Sequence, residues 1–244
     1  MRAKLEIRNI SKSFKTDQGR RPVIGGIDIS VADGEFVAIV GPSGCGKTTL
    51  LHVIAGLESA DSGQVVIDGA VQTGPSPKGI VISQQGSVFP WLTVQQNLMF
   101  GLNGRRDSRE LADHYGAMVG LQGFDQAYPH ELSGGMLKRV EVARALVVKP
   151  EILYMDEPLS ALDALTALRM RLELLRILSE ERHTSLLVTH DVEEAIQLSD
   201  RIIVLTPRPT TIQAIFEVPF SHPRKLSSPE AQTLKEAILR ELGL

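Results

Sequence analysis

Gly41-Pro42-Ser43-Gly44-Cys45-Gly46-Lys47-Thr48 is the stretch on which the fold reading turns. It satisfies G-x-x-x-x-G-K-[ST] at every fixed position. Its glycines let the backbone curl so that successive N–H groups face phosphate oxygens. A helix opening at Lys47 adds the positive end of its dipole. Lys47 would reach the β- and γ-phosphates, the Thr48 hydroxyl would meet a magnesium ion, and Thr49 follows in the same turn. The pattern carries this meaning only between a strand and a helix, and both are present. Phe36-Val37-Ala38-Ile39-Val40 before it reads as a strand buried on both faces. Thr48-Thr49-Leu50-Leu51-His52-Val53-Ile54-Ala55 after it reads as a buried helix closed by Gly56. Cys45 occupies a free position of the loop and is given no redox role.

Outward from the loop, an α/β pattern continues. Leu5 and Ile7, then Ile27, Ile29 and Val31, alternate with polar residues as half-buried strands do, and Asp33-Gly34-Glu35 marks a turn. Val65-Val66-Ile67 and Ile80-Val81-Ile82 are short strands. Residues 94–146 change to a helical character and read as an inserted lobe. Apolar runs return at Ile152-Leu153-Tyr154-Met155 and Leu186-Leu187-Val188, flanking a long helix over 164–181, and again at Ile202-Ile203-Val204-Leu205. Ser228-Pro229-Glu230 opens a terminal helix with N-cap, N1 and first-turn preferences. Its Leu234, Ile238 and Leu242 share one face.

The bulk properties narrow the function. The chain has 244 residues, 43% hydrophobic and 23% charged, which suits a globular protein of one domain, or of one domain with a lobe. A net charge of −3 offers no basic surplus for phosphate neutralisation, so nucleic acid is not an expected partner. The single cysteine excludes an internal disulfide and fits a reducing compartment. The charged start Met1-Arg2-Ala3-Lys4 lacks a signal's apolar core. The apolar runs are far shorter than the roughly 20 residues of a membrane helix.

Two carboxylates, Asp156 and Glu157, end the strand at Tyr154-Met155. After a phosphate loop, the first is expected to hold magnesium and the second to activate the attacking water. His190 ends the next strand, at the carboxyl edge where ligands bind in open α/β sheets. It is expected to meet the γ-phosphate and to hold Glu157 and the water in place.

Leu132-Ser133-Gly134-Gly135-Met136, followed by Lys138-Arg139-Val140 and Ala143-Arg144-Ala145-Leu146, resembles the signature of ATP-binding-cassette (ABC) ATPases. A Ser-Gly-Gly turn before a helix is by default only a flexible turn. Its place shortly before the acidic strand gives it the family meaning. The resemblance covers nearly all of residues 4–205. It implies a P-loop NTPase core of α/β class with an antiparallel β subdomain and an inserted α-helical subdomain. The boundaries expected are 1–220 for the nucleotide-binding domain, about 87–147 for the helical lobe and 221–244 for a short tail. It also implies ATP and Mg2+ as cofactors and a head-to-tail homodimer in which Ser133, Gly134 and Gly135 close on the partner's γ-phosphate.

Further roles follow from the same resemblance. Phe14 stands where an aromatic stacks on adenine. Gln84 matches the glutamine that contacts magnesium and senses transmembrane permease subunits, chosen over Gln85 by its offset from Pro90. Ser160-Ala161-Leu162-Asp163 matches the loop crossing the dimer interface, and His190 the switch histidine. Met136 departs from the commoner glutamine and Phe14 from the more usual tyrosine.

Phe89-Pro90-Trp91 would anchor a permease helix near 84–91, or else fill the lobe's own core. Together with the signature and the Glu157–Asp163 loop, it resembles importer ATPases of the nitrate, sulfonate and taurine group. That group implies a peripheral location on the cytoplasmic face of the inner membrane. It also implies an external solute-binding protein, periplasmic or extracellular, engaged indirectly. A soluble cassette ATPase acting on DNA or the ribosome is the alternative, and a small-molecule kinase is opposed by the signature.

Overall fold

The computed structural model describes residues 3–17, 19–84, 86–102, 104–160, 162–180 and 183–244. Met1, Arg2, Gln85, Ala161 and Glu181, named above, lie outside them. In chain order the elements are β1 (Ala3–Thr16), β2 (Gly19–Ala32), β3 (Phe36–Val40), α1 (Lys47–Ile54), β4 (Ser62–Ile67), β5 (Ala70–Val71) and β6 (Gly79–Ile82). The helices α2 (Val94–Met99), α3 (Ser108–Met118) and α4 (Gly134–Leu146) follow. The chain then runs through β7 (Ile152–Asp156), α5 (Ala164–Glu180), β8 (Thr184–Thr189), α6 (Val192–Leu198), β9 (Arg201–Leu205), β10 (Ile212–Glu217) and α7 (Pro229–Glu241).

Two compact units divide these elements. The first comprises Met1–Gly79, Ile152–Asp156 and His183–Leu244, and the second Ile80–Glu151 and Glu157–Arg182. In the first, an antiparallel sheet has the order β2-β1-β4-β5. A second sheet runs β10-β9-β3-β8-β7, parallel except where β10 pairs antiparallel with β9. Strands β3, β7 and β8 are buried at every position, as uninterrupted apolar runs in a parallel sheet require. The parallel register places Val40 opposite Thr189 and Asp156 opposite Val188, which brings the P-loop, Asp156 and His190 to one carboxyl edge.

The second unit is helical apart from β6. Thr93 caps α2 in a reciprocal capping box with Gln96. Buried Asn97 uses its amide to accept from Phe89 N–H at 2.8 Å and donate to the carbonyls of Phe89, Leu92 and Thr93. That holds the 89–93 turn in shape. Among the described residues, no helix is long and apolar enough to cross a membrane.

Strand β10 and helix α6 were not expected from the sequence. In α7, Ser228 caps and Pro229 stands at N1 as expected. The buried face differs: Ala231 and Ile238 are buried, while Leu234 and Leu242 are only half-buried.

Candidate functional site

In the first unit the P-loop has the shape the motif demands. Gly46 takes a φ of +123°, and a Cβ there would stand 2.7 Å from Val23 Cγ1. Both backbone conformation and space therefore require glycine. Gly46 is also the N-cap of α1 and offers no side-chain cap, so the first-turn N–H groups are not taken by a side chain. Lys47 is buried, and its Nζ donates to the carbonyls of Gly41 at 2.9 Å and Pro42 at 3.2 Å. Two loop carbonyls thus fix the ammonium over the loop. Burial pushes the Cys45 thiol above its ordinary range, which disfavours the thiolate.

Asp156 is 2% exposed and accepts a 3.0 Å hydrogen bond from Thr48 Oγ1. These are hard oxygen donors side by side, the kind magnesium takes when phosphates and waters supply the other ligands. Such a site needs few protein groups, and no cluster of three or more His, Cys, Asp or Glu occurs among the described residues. The paired oxygens fit a magnesium ion, which Thr48 and Asp156 would hold and which would screen charge on the phosphates.

His190 is exposed at the end of β8. Its neighbours are committed: Thr189 Oγ1 donates to Glu194 and accepts Asp191 N–H at 3.0 Å. Phe14 is 39% exposed, with Lys12 Nζ 5.1 Å from the ring centroid. Lys12 is itself held by Glu58 at 2.7 Å and by the Ser59 carbonyl at 2.6 Å.

The second unit carries the other candidates. Glu157 adopts a φ of +44°, unusual for a residue with a Cβ, and Gln84 Nε2 donates to its Oε2 at 3.1 Å. The structure thus brings Gln84 and Glu157 together. Ser133 caps α4, its Oγ accepting Met136 N–H at 3.3 Å, and Ser133 and Gly134 are exposed. A Cβ on Gly135 would stand 2.8 Å from Thr166 Cγ2, so the signature turn packs closely on the start of α5. Trp91 is 69% exposed, with Phe89 at 5.5 Å between ring centroids. Trp91 therefore does not fill a core.

Several contributing residues were given no role by the sequence reading. Thr210 is fully buried, donates its hydroxyl to the Cys45 carbonyl, and through its backbone N–H bonds Val23 O at 2.8 Å. It props the P-loop from 165 positions away in sequence. Lys138 and Glu141 form a buried ion pair at 2.6 Å. Lys138 also donates to Ser83 O at 3.2 Å, and Glu141 accepts Ser87 N–H at 2.6 Å. Arg144 donates to Ser87 Oγ at 2.6 Å and lies 4.8 Å from the Phe89 ring centroid. Helix α4 so grips both ends of the segment bearing Gln84. Lys138 and Arg144 stand in the stretch that resembles the signature, but only the charged types at i, i+3 hinted at the Lys138–Glu141 pair, and such pairs usually lie on a solvated face.

The model of the ABC transporter family matches residues 24–160, more than half of the chain. The chain belongs to that family. An uncharacterized ABC transporter ATP-binding protein of Methanocaldococcus jannaschii is 43% identical, over 99% of this chain and 92% of the relative. The aliphatic sulfonates import ATP-binding protein SsuB of Bacillus subtilis is 40% identical, over 94% of this chain and 91% of the relative. A dimeric ATP-binding cassette solved in a post-hydrolysis state with ADP and Pi superposes with a TM-score of 0.78 at 28% identity. That alignment covers 89% of this chain and all of the other. This ABC protein binds ATP and hydrolyses it, and its fold is the α/β cassette expected.

Proposed function

We propose that this cassette is the ATP-hydrolysing subunit of an importer for a small anion of the sulfonate, taurine or nitrate type. The observation that carries the reading is the 40% identity, over 94% of the chain, to a protein named for aliphatic sulfonate import. In this reading residues 1–220 form the nucleotide-binding domain, with the helical lobe at about 87–147 and the tail at 221–244. Gly41 to Thr49 cradle the phosphates, Lys47 neutralises them, Phe14 stacks on adenine, and Thr48, Asp156 and Gln84 hold Mg2+. Glu157 takes the proton of the attacking water, and His190 holds the γ-phosphate.

Two copies work together, with Ser133, Gly134 and Gly135 of each completing the other's site. The exposed Trp91, with half-buried Phe89 beside it, suits a permease segment, because aromatic anchors dominate such contacts. A solute-binding protein outside the membrane delivers the anion, and the cassette sits on the cytoplasmic face as a peripheral subunit. Uptake of labelled sulfonates, taurine and nitrate in a strain lacking the gene tests the solute. Loss of uptake of one of these anions, restored by the gene, supports the reading. Full uptake of all of them overturns it. Purification from solubilised membranes together with any permease subunits encoded beside it is the second check.

A further inference from the structure

The C-terminal stretch is fastened to the helix that follows His190. That helix, α6, is only Val192–Leu198, too short to be stable on its own. Six of its seven residues are buried, with the helix packed on β3 and β8, and polar anchors at its two ends add to that packing. At the start, Asp191 Oδ1 accepts the N–H groups of Glu193 at 2.8 Å and Glu194 at 3.1 Å. Thr189, on the other side of His190, bonds to Glu194 and to Asp191 N–H. The histidine thus stands between two residues whose polar atoms belong to the first turn of α6, and displacing the helix displaces it.

The other anchors come from the tail. Arg224 is buried, and its guanidinium donates to the Ile196 carbonyl at 2.8 Å and to that of Ser199. These are carbonyls at the end of α6, where the helix itself provides no donors. The same guanidinium bonds Phe220 O at 2.9 Å, which fixes the tail to its own strand exit. Further on, Lys235 Nζ meets Glu193 Oε1 at 2.6 Å. Lys235 lies on the face of α7 that carries buried Ala231 and Ile238, at i, i+4, i+7 spacing. One segment of chain therefore holds the first and the last turn of α6.

We propose that Arg224 and Lys235 are positioning residues for His190, acting through α6, so that the tail sets the rate of hydrolysis rather than the affinity for ATP. This rests on His190 acting at the γ-phosphate. A partner that lifts α7 from Glu193 would slow turnover without releasing nucleotide.

Steady-state ATPase assays of the full chain test it, comparing Lys235→Glu, the swap Lys235→Glu with Glu193→Lys, and His190→Ala. Lys235 is half-buried at the edge of the buried face of α7, so thermal unfolding of each variant is recorded beside the assay to show that the fold is kept. A half-buried pair turned into a repulsion should lower kcat about three- to fivefold, with KM for ATP changed less than about twofold. The swap should recover most of that loss, which a change of surface charge alone would not do. An unaltered kcat in Lys235→Glu, while His190→Ala abolishes turnover, overturns the proposal. So does a swap that fails to recover. Normal turnover in His190→Ala overturns the role given to the histidine, and the proposal with it.

Discussion

Glu157 holds a backbone conformation in the left-handed region, at a cost of order 1 kcal/mol, and Gln84 donates to its carboxylate. Strain of this kind persists where the surroundings over-determine it, as at a reacting group. Glu157→Gln keeps the shape and removes the proposed base, so ATP binding should persist while turnover falls by at least about a hundredfold. Near-normal turnover would place the base elsewhere. Lys47→Ala should instead weaken nucleotide binding itself, as read by equilibrium binding of a fluorescent ATP analogue. Thr210→Val keeps volume but strands the Cys45 carbonyl. It should cost about 1–3 kcal/mol, seen as a lower midpoint of thermal unfolding. The contrast between Lys47 and Thr210 marks what the sequence discloses at this scale. Phosphate chemistry needs neighbouring residues, so the loop writes its own signature. A prop needs only one hydroxyl in the right place, and nothing around Arg208-Pro209-Thr210-Thr211 announces it.

Strands β3, β7 and β8 were legible because burial on both faces leaves an apolar run that no other element requires. Strand β10 was not, since its positions alternate between half-buried and exposed and none is fully buried. Helix α6 was missed because seven residues are too few to show a period. Helix α4 was expected as a helix, but the burial of its charges was not, since their partners lie on the distant 83–87 segment. Lys138→Met would leave Glu141 as an uncompensated buried charge, and should destabilise the chain by about 3–5 kcal/mol in urea unfolding. Removing both charges with Lys138→Met and Glu141→Leu should recover part of that loss. Recovery stays incomplete, because Ser87 N–H then loses its acceptor. A single variant as stable as the parent would mean that Lys138 can leave the interior at little cost.

At the scale of the whole molecule, acid works in one direction. Cations hold Asp68 below its ordinary carboxylate range through Lys78 and Lys4, and hold Glu58 below it through Lys12; the Ser13 hydroxyl does the same for Asp61. A carboxylate lowered in the folded state adds stability above its unfolded pKa, about 4, and loses it as pH falls through the folded value. Burial, with Arg224 nearby, also lowers His222. The unfolded chain therefore takes up that proton first, and stability declines as pH drops below about 6.5. Thermal unfolding at pH 7, 6 and 5 should show a falling midpoint in low salt, and His222→Gln should flatten the upper part of that decline. The cassette also has a stoichiometry to reveal. Its solved neighbours are dimers, and Ser133 with Gly134 lies exposed at the head of α4, as a surface meant for a second copy would be. An isolated chain would sediment at 26.6 kDa, and Glu157→Gln with ATP should move it to about twice that mass. Adding Ser133→Arg in that background leaves the P-loop untouched, so ATP should still bind, yet the dimer should be lost. A dimer that survives this change would show that the signature turn does not close on the partner's nucleotide.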